Sequence, residues 1–230
     1  TTLGVFIGSF DTEAVEGIAE SNILHDLTSL VDKSLLQRLT EGDEVRFSLL
    51  ETVREFALSR LSAHEVQNLR ERHARYFVEL AERLEPQLAG AEQEKLLNGL
   101  ERDYPNFRHV LAWTFQHHRG FHLRLCANLW WFWFVRGYLF EGRQCLEQAL
   151  TLPTSDDQLI HRQKILNAAG VLANDQADYD IAIARLTESL ELARTHNPKG
   201  VAGPLNNLGL VYRNKKDYAK AKYYFKECLE

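Results

Sequence analysis

Cysteine, methionine and long apolar runs are rare or missing in this 230-residue sequence. The three cysteines are odd in number and widely spaced, so the pattern does not indicate a disulfide framework and favours a reducing, cytoplasmic location. The longest apolar run, at 129–135, has seven residues, whereas a membrane-spanning helix needs about 20. The N-terminus also lacks the basic-then-apolar pattern of a secretory signal. We therefore expect no membrane partner.

A surplus of basic residues is missing as well. Residues 1–60 hold 11 acidic and 5 basic side chains, a net charge of −6, and the whole chain carries −5. Proteins that bind nucleic acids normally present a basic face, because neutralising phosphates supplies much of their affinity. The sequence thus predicts no direct contact with nucleic acid.

Patterns that carry catalysis are also absent. The sequence has no Gly-x-x-x-x-Gly-Lys phosphate loop, so an ATP site is not expected within it. His118 and His122 are four residues apart and could share a helix face, but Gly120 between them suggests a break and predicts a solvated loop. No further ligand is evident there. The chain is therefore predicted to be non-catalytic, with no cofactor and no metal.

A helix-pair pattern recurs in the C-terminal half. Its markers are small residues, which let two antiparallel helices approach closely, and large ones that fill the space beside them. In the last copy these are Gly209, Tyr212, Ala221 and Phe225. The preceding copy, in which Gly170 takes the place of Gly209, continues with Tyr179, Ala182, Leu186 and Leu190. This spacing is typical of tetratricopeptide repeats, although unrelated amphipathic helices with chance matches would give a similar pattern.

A third, more degenerate copy lies farther upstream, at nearly the same offset, and includes Gly142 and Leu146. Trp130 there replaces the glycine, so this pair must be splayed or packed differently. The three repeats are predicted at about 121–155, 158–196 and 200–230. The offsets between the copies, 39 and 40 residues, exceed the usual repeat length of about 34 residues. A longer second helix, stopping at Asn197-Pro198-Lys199-Gly200, explains the difference.

Two further helical stretches precede the repeats. Apolar residues recur at helical spacing from Val66 to Leu84, before Pro86. A helix is then predicted at about 91–102, and Pro105 is expected to open another. We assign residues 63–120 to a helical bridge and residues 121–230 to the repeats.

Residues 1–62 have a different pattern. Helices are predicted at 12–19, with Asp11 as N-cap, at 25–32 and at 50–61. The segments 34–39 and 45–48 flank a turn-forming composition at 40–44 and suggest a β-hairpin. This order is that of a winged-helix domain, although two extra helices with a loop remain an alternative. Its candidate recognition helix, 25–32, has two acids and no Arg or Lys, which disfavours DNA contact.

Four segments resemble a known family. They are LVDKSLL at 30–36, FSLLETVREFA at 47–57, RHARYF at 72–77 and LERDYPNFR at 100–108. They are similar to bacterial signal-transduction ATPases of the NB-ARC or STAND type, often AfsR-, LuxR- or MalT-like transcriptional regulators. The resemblance implies a winged-helix domain and a tetratricopeptide sensor, with ATP bound in an upstream domain. It also implies two partners, namely that ATPase domain and an inducer that is a protein, a peptide or a small molecule.

The absence of methionine and of a polar capping helix before Glu230 makes us expect a fragment of a longer regulator. The predicted fold is all-α, a tetratricopeptide α-solenoid behind a small winged-helix-like domain. The predicted function is a non-catalytic sensor module of a multidomain ATPase that regulates transcription. The alternative is a stand-alone tetratricopeptide scaffold that binds peptide segments of partner proteins.

The candidate binding surface is the concave groove, which the first helix of each pair lines in tetratricopeptide proteins. Asn can bond a peptide backbone in both directions, Arg can pair with a carboxylate, and Trp offers a flat apolar contact. An alternative is that the aromatic side chains pack on the preceding helix and the Asn side chains meet water. The candidate site residues are Arg124, Trp131, Asn167, Asn174, Asn206, Arg213 and Asn214.

Overall fold

The computed structural model describes residues 2–19, 24–41 and 44–229, and it divides into two compact units, Thr1–His117 and His118–Glu230. Over these described residues the chain forms eleven α-helices and one three-stranded sheet, which confirms the predicted fold class. None of the helices in the described ranges is long and apolar enough to cross a bilayer. The domain boundaries at 62 and 120 stay predictions.

The first unit carries all the strands found among the described residues. Its elements are β1 (Ser9–Phe10), α1 (Thr12–Ala19), α2 (Leu24–Asp32), β2 (Leu36–Glu41), β3 (Glu44–Leu49), α3 (Glu51–Ser59), α4 (Ala63–Leu84) and α5 (Gln93–His117). The second unit consists of helices and the turns that connect them in its described residues. Its elements are α6 (Arg119–Val135), α7 (Leu139–Thr151), α8 (Leu159–Asp175), α9 (Tyr179–His196), α10 (Ala202–Asn214) and α11 (Tyr218–Leu229).

The predicted hairpin is the core of the small sheet. Strands β2 and β3 pair antiparallel, with Leu36 opposite Leu49, and β1 adds to the other edge of β3 through Phe10 opposite Phe47. Leu36, Phe47 and Phe10 are buried in the core of this unit. The two-residue strand β1 was not predicted, because so short a segment has no visible periodicity. Residues 42 and 43 of the expected turn lie outside the described residues.

Helix α4 follows its sequence signals closely. The hydroxyl of Ser62 accepts a hydrogen bond from the Glu65 amide, and the Glu65 carboxylate accepts one from the Ser62 amide at 2.7 Å. This reciprocal capping box starts the helix. Leu69 and Phe77 of the predicted stripe are buried, and the helix ends at Leu84, as expected.

The prediction of two helices around Pro105 is wrong. Gln93–His117 is a single helix with Pro105 inside it. Proline removes one backbone hydrogen bond and disfavours a helix interior. Burial on both sides of it offsets that cost, since Tyr104 is 3% exposed and Phe107 is fully buried. The side chain of the next residue, Asn106, also bonds to the neighbouring strand β1.

Asn106 is the centre of a buried polar cluster in the first unit. Its amide oxygen accepts a hydrogen bond from the Ile7 amide at 2.8 Å, and its NH₂ group donates to the Ser9 carbonyl at 3.0 Å. The same oxygen lies 3.4 Å from Nε2 of His73 on α4. Burial, together with nearby His109, lowers the pKa of His73 to about 3. The imidazole is therefore neutral at physiological pH, and one side chain joins β1, α4 and α5.

A buried ion pair lies beside this cluster. Arg46 on β3 is 1% exposed and donates to the Asp103 carboxylate of α5 at 2.5 Å and to the Ser9 carbonyl at 3.0 Å. Burial raises the pKa of Asp103 to about 6, against the lowering effect of Arg46. Removing either partner would leave an unpaired charge in the interior, so the pair fixes α5 against the sheet.

The turns of the second unit show the repeat directly. Gly137, Ala177 and Lys216 all have positive φ angles, of 78°, 60° and 63°. The intervals between them equal the offsets that relate the three copies of the sequence pattern. A left-handed residue ends each first helix. Only the first of the three is glycine, so the repeat geometry, not the local residue, imposes this conformation at the other two.

The helix pairs approach at the predicted small residues. A Cβ added to Gly170 would lie 2.5 Å from Leu186 Cγ on the paired helix, and one added to Gly209 would lie 2.4 Å from the Phe225 ring. The first pair reverses these roles, because Gly142 on α7 packs against the fully buried Trp133 on α6. That reversal explains how Trp130 can replace the glycine of the other copies.

Candidate functional site

The first helices of the three pairs, α6, α8 and α10, carry the candidate groove. Helices α8 and α10 are the first helices of two successive repeats. Hydrogen bonds between side-chain amides join them along this face. Asn207 Nδ2 donates to Asn167 Oδ1 at 3.0 Å, and Asn214 Nδ2 donates to Asn174 Oδ1 at 3.1 Å. We call these the lower and upper amide pairs.

A cavity of about 110 Å³ lies on the same face. Leu186 of α9 and Val211 of α10 are buried within its lining, and Phe134 of α6 is half-buried there. Its remaining lining residues are Val171, Asn174, Asp175, Asn207 and Leu210. One residue of each amide pair therefore borders an otherwise mainly apolar cavity.

The aromatic candidates lie beside this cavity at the C-terminal end of α6. Trp131 and Phe134 are half-buried, with ring centroids 5.6 Å apart, and Trp131 also meets Trp130 edge-on at 5.2 Å. Phe134 is part of the cavity lining, whereas Trp131 is not and instead packs against Phe134. Arg124 is half-buried two helical turns earlier, with its guanidinium over the Phe121 ring at 5.6 Å.

The structure brings only part of the predicted set together. Asn167, Asn174 and Asn214 form the amide pairs, whereas Asn206 and Arg213 are exposed on an adjacent stripe of α10. Asn207, which the sequence reasoning did not select, is the residue that contacts Asn167. The sequence shows two adjacent asparagines, Asn206 and Asn207, at this point. Which of them faces α8 depends on how α10 is rotated about its axis, and the sequence does not give this rotation. The assignment of these residues to a binding site stays a prediction.

The prediction of a solvated loop around His118 and His122 is wrong. Helix α6 starts at Arg119, and His118 caps it by accepting a hydrogen bond from the Phe121 amide through Nδ1. His122 is 2% exposed, and its Nε2 lies 3.5 Å from Cys126 Sγ. Gly120 does not break the helix, because this glycine falls in its first turn. Among the described residues no group of three or more His, Cys, Asp or Glu could hold a metal ion.

A larger hollow in the first unit has a different character. It measures about 590 Å³ and runs along α4. Its charged lining is largely engaged within the helix, since Arg75 pairs with Glu71 at 3.2 Å and Glu65 belongs to the Ser62 capping box. The groove of the second unit, with its aligned amides, is the better candidate for a ligand.

Helix α2 and the hairpin of the winged-helix domain carry few exposed basic residues. Within α2, Asp26 and Asp32 are exposed, and the helix contains no Lys or Arg. In the hairpin, Arg46 is enclosed in its ion pair, so Arg38 is the exposed arginine of β2 and β3. Phosphate contacts need accessible donors of this kind.

Two family models match the chain. The winged helix-turn-helix domain model matches residues 2–62, and a tetratricopeptide repeat model matches residues 162–230. These matches confirm the predicted combination of domains. Winged helix-turn-helix domains usually bind DNA, so the match does not support the expected absence of nucleic-acid contact. Tetratricopeptide repeats suggest a protein-binding role.

Relatives exist among mycobacterial regulators. Proteins named as HTH-type transcriptional regulators of Mycobacterium bovis and Mycobacterium tuberculosis are 32% identical to this chain over 173 residues, or 72% of it. The chain spans 19% of their length. A solved structure, the signal transduction ATPase with numerous domains and a tetratricopeptide repeat sensor from Pyrococcus horikoshii, aligns with 99% of this chain and 42% of its own, at 14% identity and a TM-score of 0.39.

Proposed function

Because this chain joins a winged helix-turn-helix domain to tetratricopeptide repeats, we propose that it is the sensor module of a larger transcriptional regulator. The second unit binds a protein, a peptide or a small-molecule inducer on its first-helix face. The observation that carries this proposal is the paired amides and apolar cavity on that face. Polar groups around an apolar hollow are the usual composition of a ligand site.

The larger regulator is proposed to contain an upstream ATPase domain. This chain corresponds to about a fifth of relatives named as transcriptional regulators, which leaves room for such a domain in proteins of that length. Nucleotide would then bind outside this chain. Cys126, Cys145 and Cys228 form no disulfide bond, and this supports the cytoplasm as the proposed location. A phosphate loop encoded upstream of Thr1 would support this proposal over a stand-alone scaffold, and its absence would support the scaffold.

The winged-helix domain is proposed to make intramolecular protein contacts. Support comes from the acidic α2 and from Arg46, which is buried instead of being available to phosphate. DNA binding is the competing role, favoured by the domain type itself. Titration of the chain with labelled duplex DNA at low and at physiological salt separates the two, because phosphate-dominated binding weakens steeply as salt rises. Salt-sensitive binding that Arg38→Ala and Lys33→Ala reduce would support the DNA role.

The module is further proposed to be non-catalytic. Burial lowers the pKa of His73 and raises the pKa of Asp103, and both groups belong to the buried cluster that joins α5 to the sheet. Burial also raises the pKa of Cys126, which makes this thiol a poor nucleophile. These perturbed groups are explained by packing, without a reacting substrate.

The groove is tested in the full-length regulator with a transcriptional reporter. Asn167→Ala combined with Asn207→Ala removes the lower amide pair, and Gln148→Ala on α7, an exposed side-chain amide outside the groove, is the control. We expect the double variant to blunt induction at unchanged protein level, because each lost hydrogen bond costs about 0.5–1.5 kcal/mol. Induction equal to wild type in the double variant would place the ligand site elsewhere.

A further inference from the structure

The turn after α10 and the helix α11 carry a local surplus of basic residues. Residues 213–226 hold six basic side chains and one acidic side chain, a net charge of +5 in a chain whose total charge is −5. All six basic side chains are exposed. The acidic total of the chain therefore conceals one strongly basic segment in the second unit.

Equivalent positions of the repeat show which side chains of this segment face outward. Four neighbouring ones form what we call the basic face, namely Lys216, Lys220, Tyr223 and Lys226. At the repeat offset of 39 residues, their counterparts on the preceding helix pair are Ala177, Ile181, Ala184 and Thr187. That pair, α8 with α9, has helices packed on both sides, and all four counterparts are exposed there. The basic face thus occupies positions that adjacent repeats leave uncovered.

The aromatic ring of the basic face is held in one orientation. Tyr223 is 61% exposed, and its ring meets that of Tyr224 edge-on at 5.1 Å. Hydrogen bonding to the Glu227 carboxylate raises the pKa of Tyr223. Side chains of a helix lean toward its N-terminus, and the residue one turn before Tyr223 is Ala219, which is too small to cover the ring. Tyr223 therefore presents a flat surface on which a planar group can stack.

Cations surround this ring. Lys220 and Lys226 are each three residues from Tyr223, so they are its neighbours on the helix surface. The Lys220 ammonium lies 3.8 Å from the Asp217 carboxylate, but an exposed pair of this kind is weak. Lys216 lies in the turn with a φ of 63°, and its counterpart in the first pair is Gly137. Because this turn conformation favours glycine, the fold gains nothing from a lysine there.

An exposed ring between cations matches a single-stranded nucleic acid. Its bases stack on aromatic rings, and its phosphates pair with ammonium groups. An acidic peptide would use only the cations, and the bases of a duplex are already stacked on each other. We propose that the basic face binds single-stranded nucleic acid, with one base on Tyr223 and phosphates on Lys216, Lys220 and Lys226. This site is separate from the first-helix groove and does not rest on the proposed function.

The test measures the affinity of the purified chain for fluorescent oligothymidine over a range of salt concentrations. Each phosphate contact to a single strand contributes about −0.7 to the slope of log K against log salt, so three contacts predict a slope of about −2. Lys220→Gln with Lys226→Gln should leave a slope of about −0.7. Lys95→Gln with Lys199→Gln is the matched control, because it removes the same charge from exposed positions elsewhere. The control should keep the wild-type slope.

Two further variants separate binding from folding and the ring from the charges. Lys216→Gly should melt at or above the wild-type temperature, because the φ of 63° favours glycine, and yet bind with a slope of about −1.4. Tyr223→Ala should bind oligothymidine at least about fivefold more weakly, as loss of one stacked base does. Tyr223→Phe keeps the ring and should bind like wild type.

The comparison ligands are a duplex of the same length and poly-glutamate. Both should bind more weakly than oligothymidine, and neither should respond to Tyr223→Ala. Affinity for poly-glutamate equal to that for oligothymidine would overturn the inference and point to an acidic protein. Wild-type slopes in the lysine variants, or no binding at low salt, would also overturn it. Binding that only Arg38→Ala and Lys33→Ala reduce would place the nucleic-acid site on the winged-helix domain instead. The reporter test of the groove is independent of all these results.

Discussion

At Gly170 two helices lie in close contact, so we expect replacement by alanine to lower stability there. Helix propensity alone would predict the opposite effect. Alanine is favoured over glycine in a helix by about 1 kcal/mol. At Gly170, however, the added Cβ would lie 2.5 Å from Leu186 Cγ and 3.2 Å from the Ala182 carbonyl oxygen. Carbon atoms prefer about 3.5–4.0 Å, so the fully buried Leu186 or the helix backbone must move by about 1 Å. Overpacking of this kind costs about 1–3 kcal/mol.

We therefore expect Gly170→Ala to destabilise the second unit by about 2 kcal/mol, the upper part of the overpacking range less the propensity gain. Gly99→Ala on α5 is the matched control, because a Cβ there meets nothing within 4 Å. That variant should gain about 0.5–1 kcal/mol. Urea denaturation followed by circular dichroism measures both. Equal or greater stability of Gly170→Ala would show that α8 and α9 are not in close contact at this point.

Three further results are expected. Gly209→Leu should lower the melting temperature, because its side chain must displace the Phe225 ring, and an unchanged melting temperature would contradict that contact. Arg46→Ala should cost about 3–5 kcal/mol in urea denaturation by leaving Asp103 unpaired, and a cost under about 1 kcal/mol would refute the ion pair. The pKa of His73 is about 3 in the folded protein and about 6.5 in the unfolded chain. Below pH 6.5 the unfolded chain therefore binds a proton at this residue that the folded protein does not, and the free energy of unfolding falls as the pH drops. His73→Gln should remove about 2 kcal/mol of that loss between pH 6.5 and 5, and identical pH dependence in variant and wild type would contradict a neutral buried imidazole.

The repeat architecture could be predicted because its determinants are local. Gly170 and Leu186, like Gly209 and Phe225, are partners within one helix pair, so their spacing in sequence fixes their contact. The hairpin and the capping box at Ser62 are similarly local signals. Continuity of α5 through Pro105 could not be read in this way. It depends on Asn106 bonding to β1, a strand near the opposite end of the first unit's sequence.

The partners within the amide pairs could not be predicted from the sequence. The offset that relates Gly170 to Gly209 makes Asn206 the counterpart of Asn167, yet Asn167 contacts Asn207. Neighbouring first helices do not meet through equivalent positions, because each is rotated relative to the one before it. That rotation comes from packing of whole helices and has no signature in either helix alone. The residue type at the site was therefore predictable, and the partner was not.

The equivalent positions also give the groove a direction. Phe134 on α6, Asn174 on α8 and Arg213 on α10 are related by the same repeat offsets and occupy one position of the repeat. The side chain there changes from aromatic to amide to guanidinium along the solenoid, and its exposure increases from half-buried at Phe134 to exposed at Arg213. A peptide lying along the first-helix face would meet an apolar surface at the α6 end and a cation at the α10 end. Because guanidinium pairs strongly with carboxylates, a ligand that carries a carboxylate would place this group toward the α10 end.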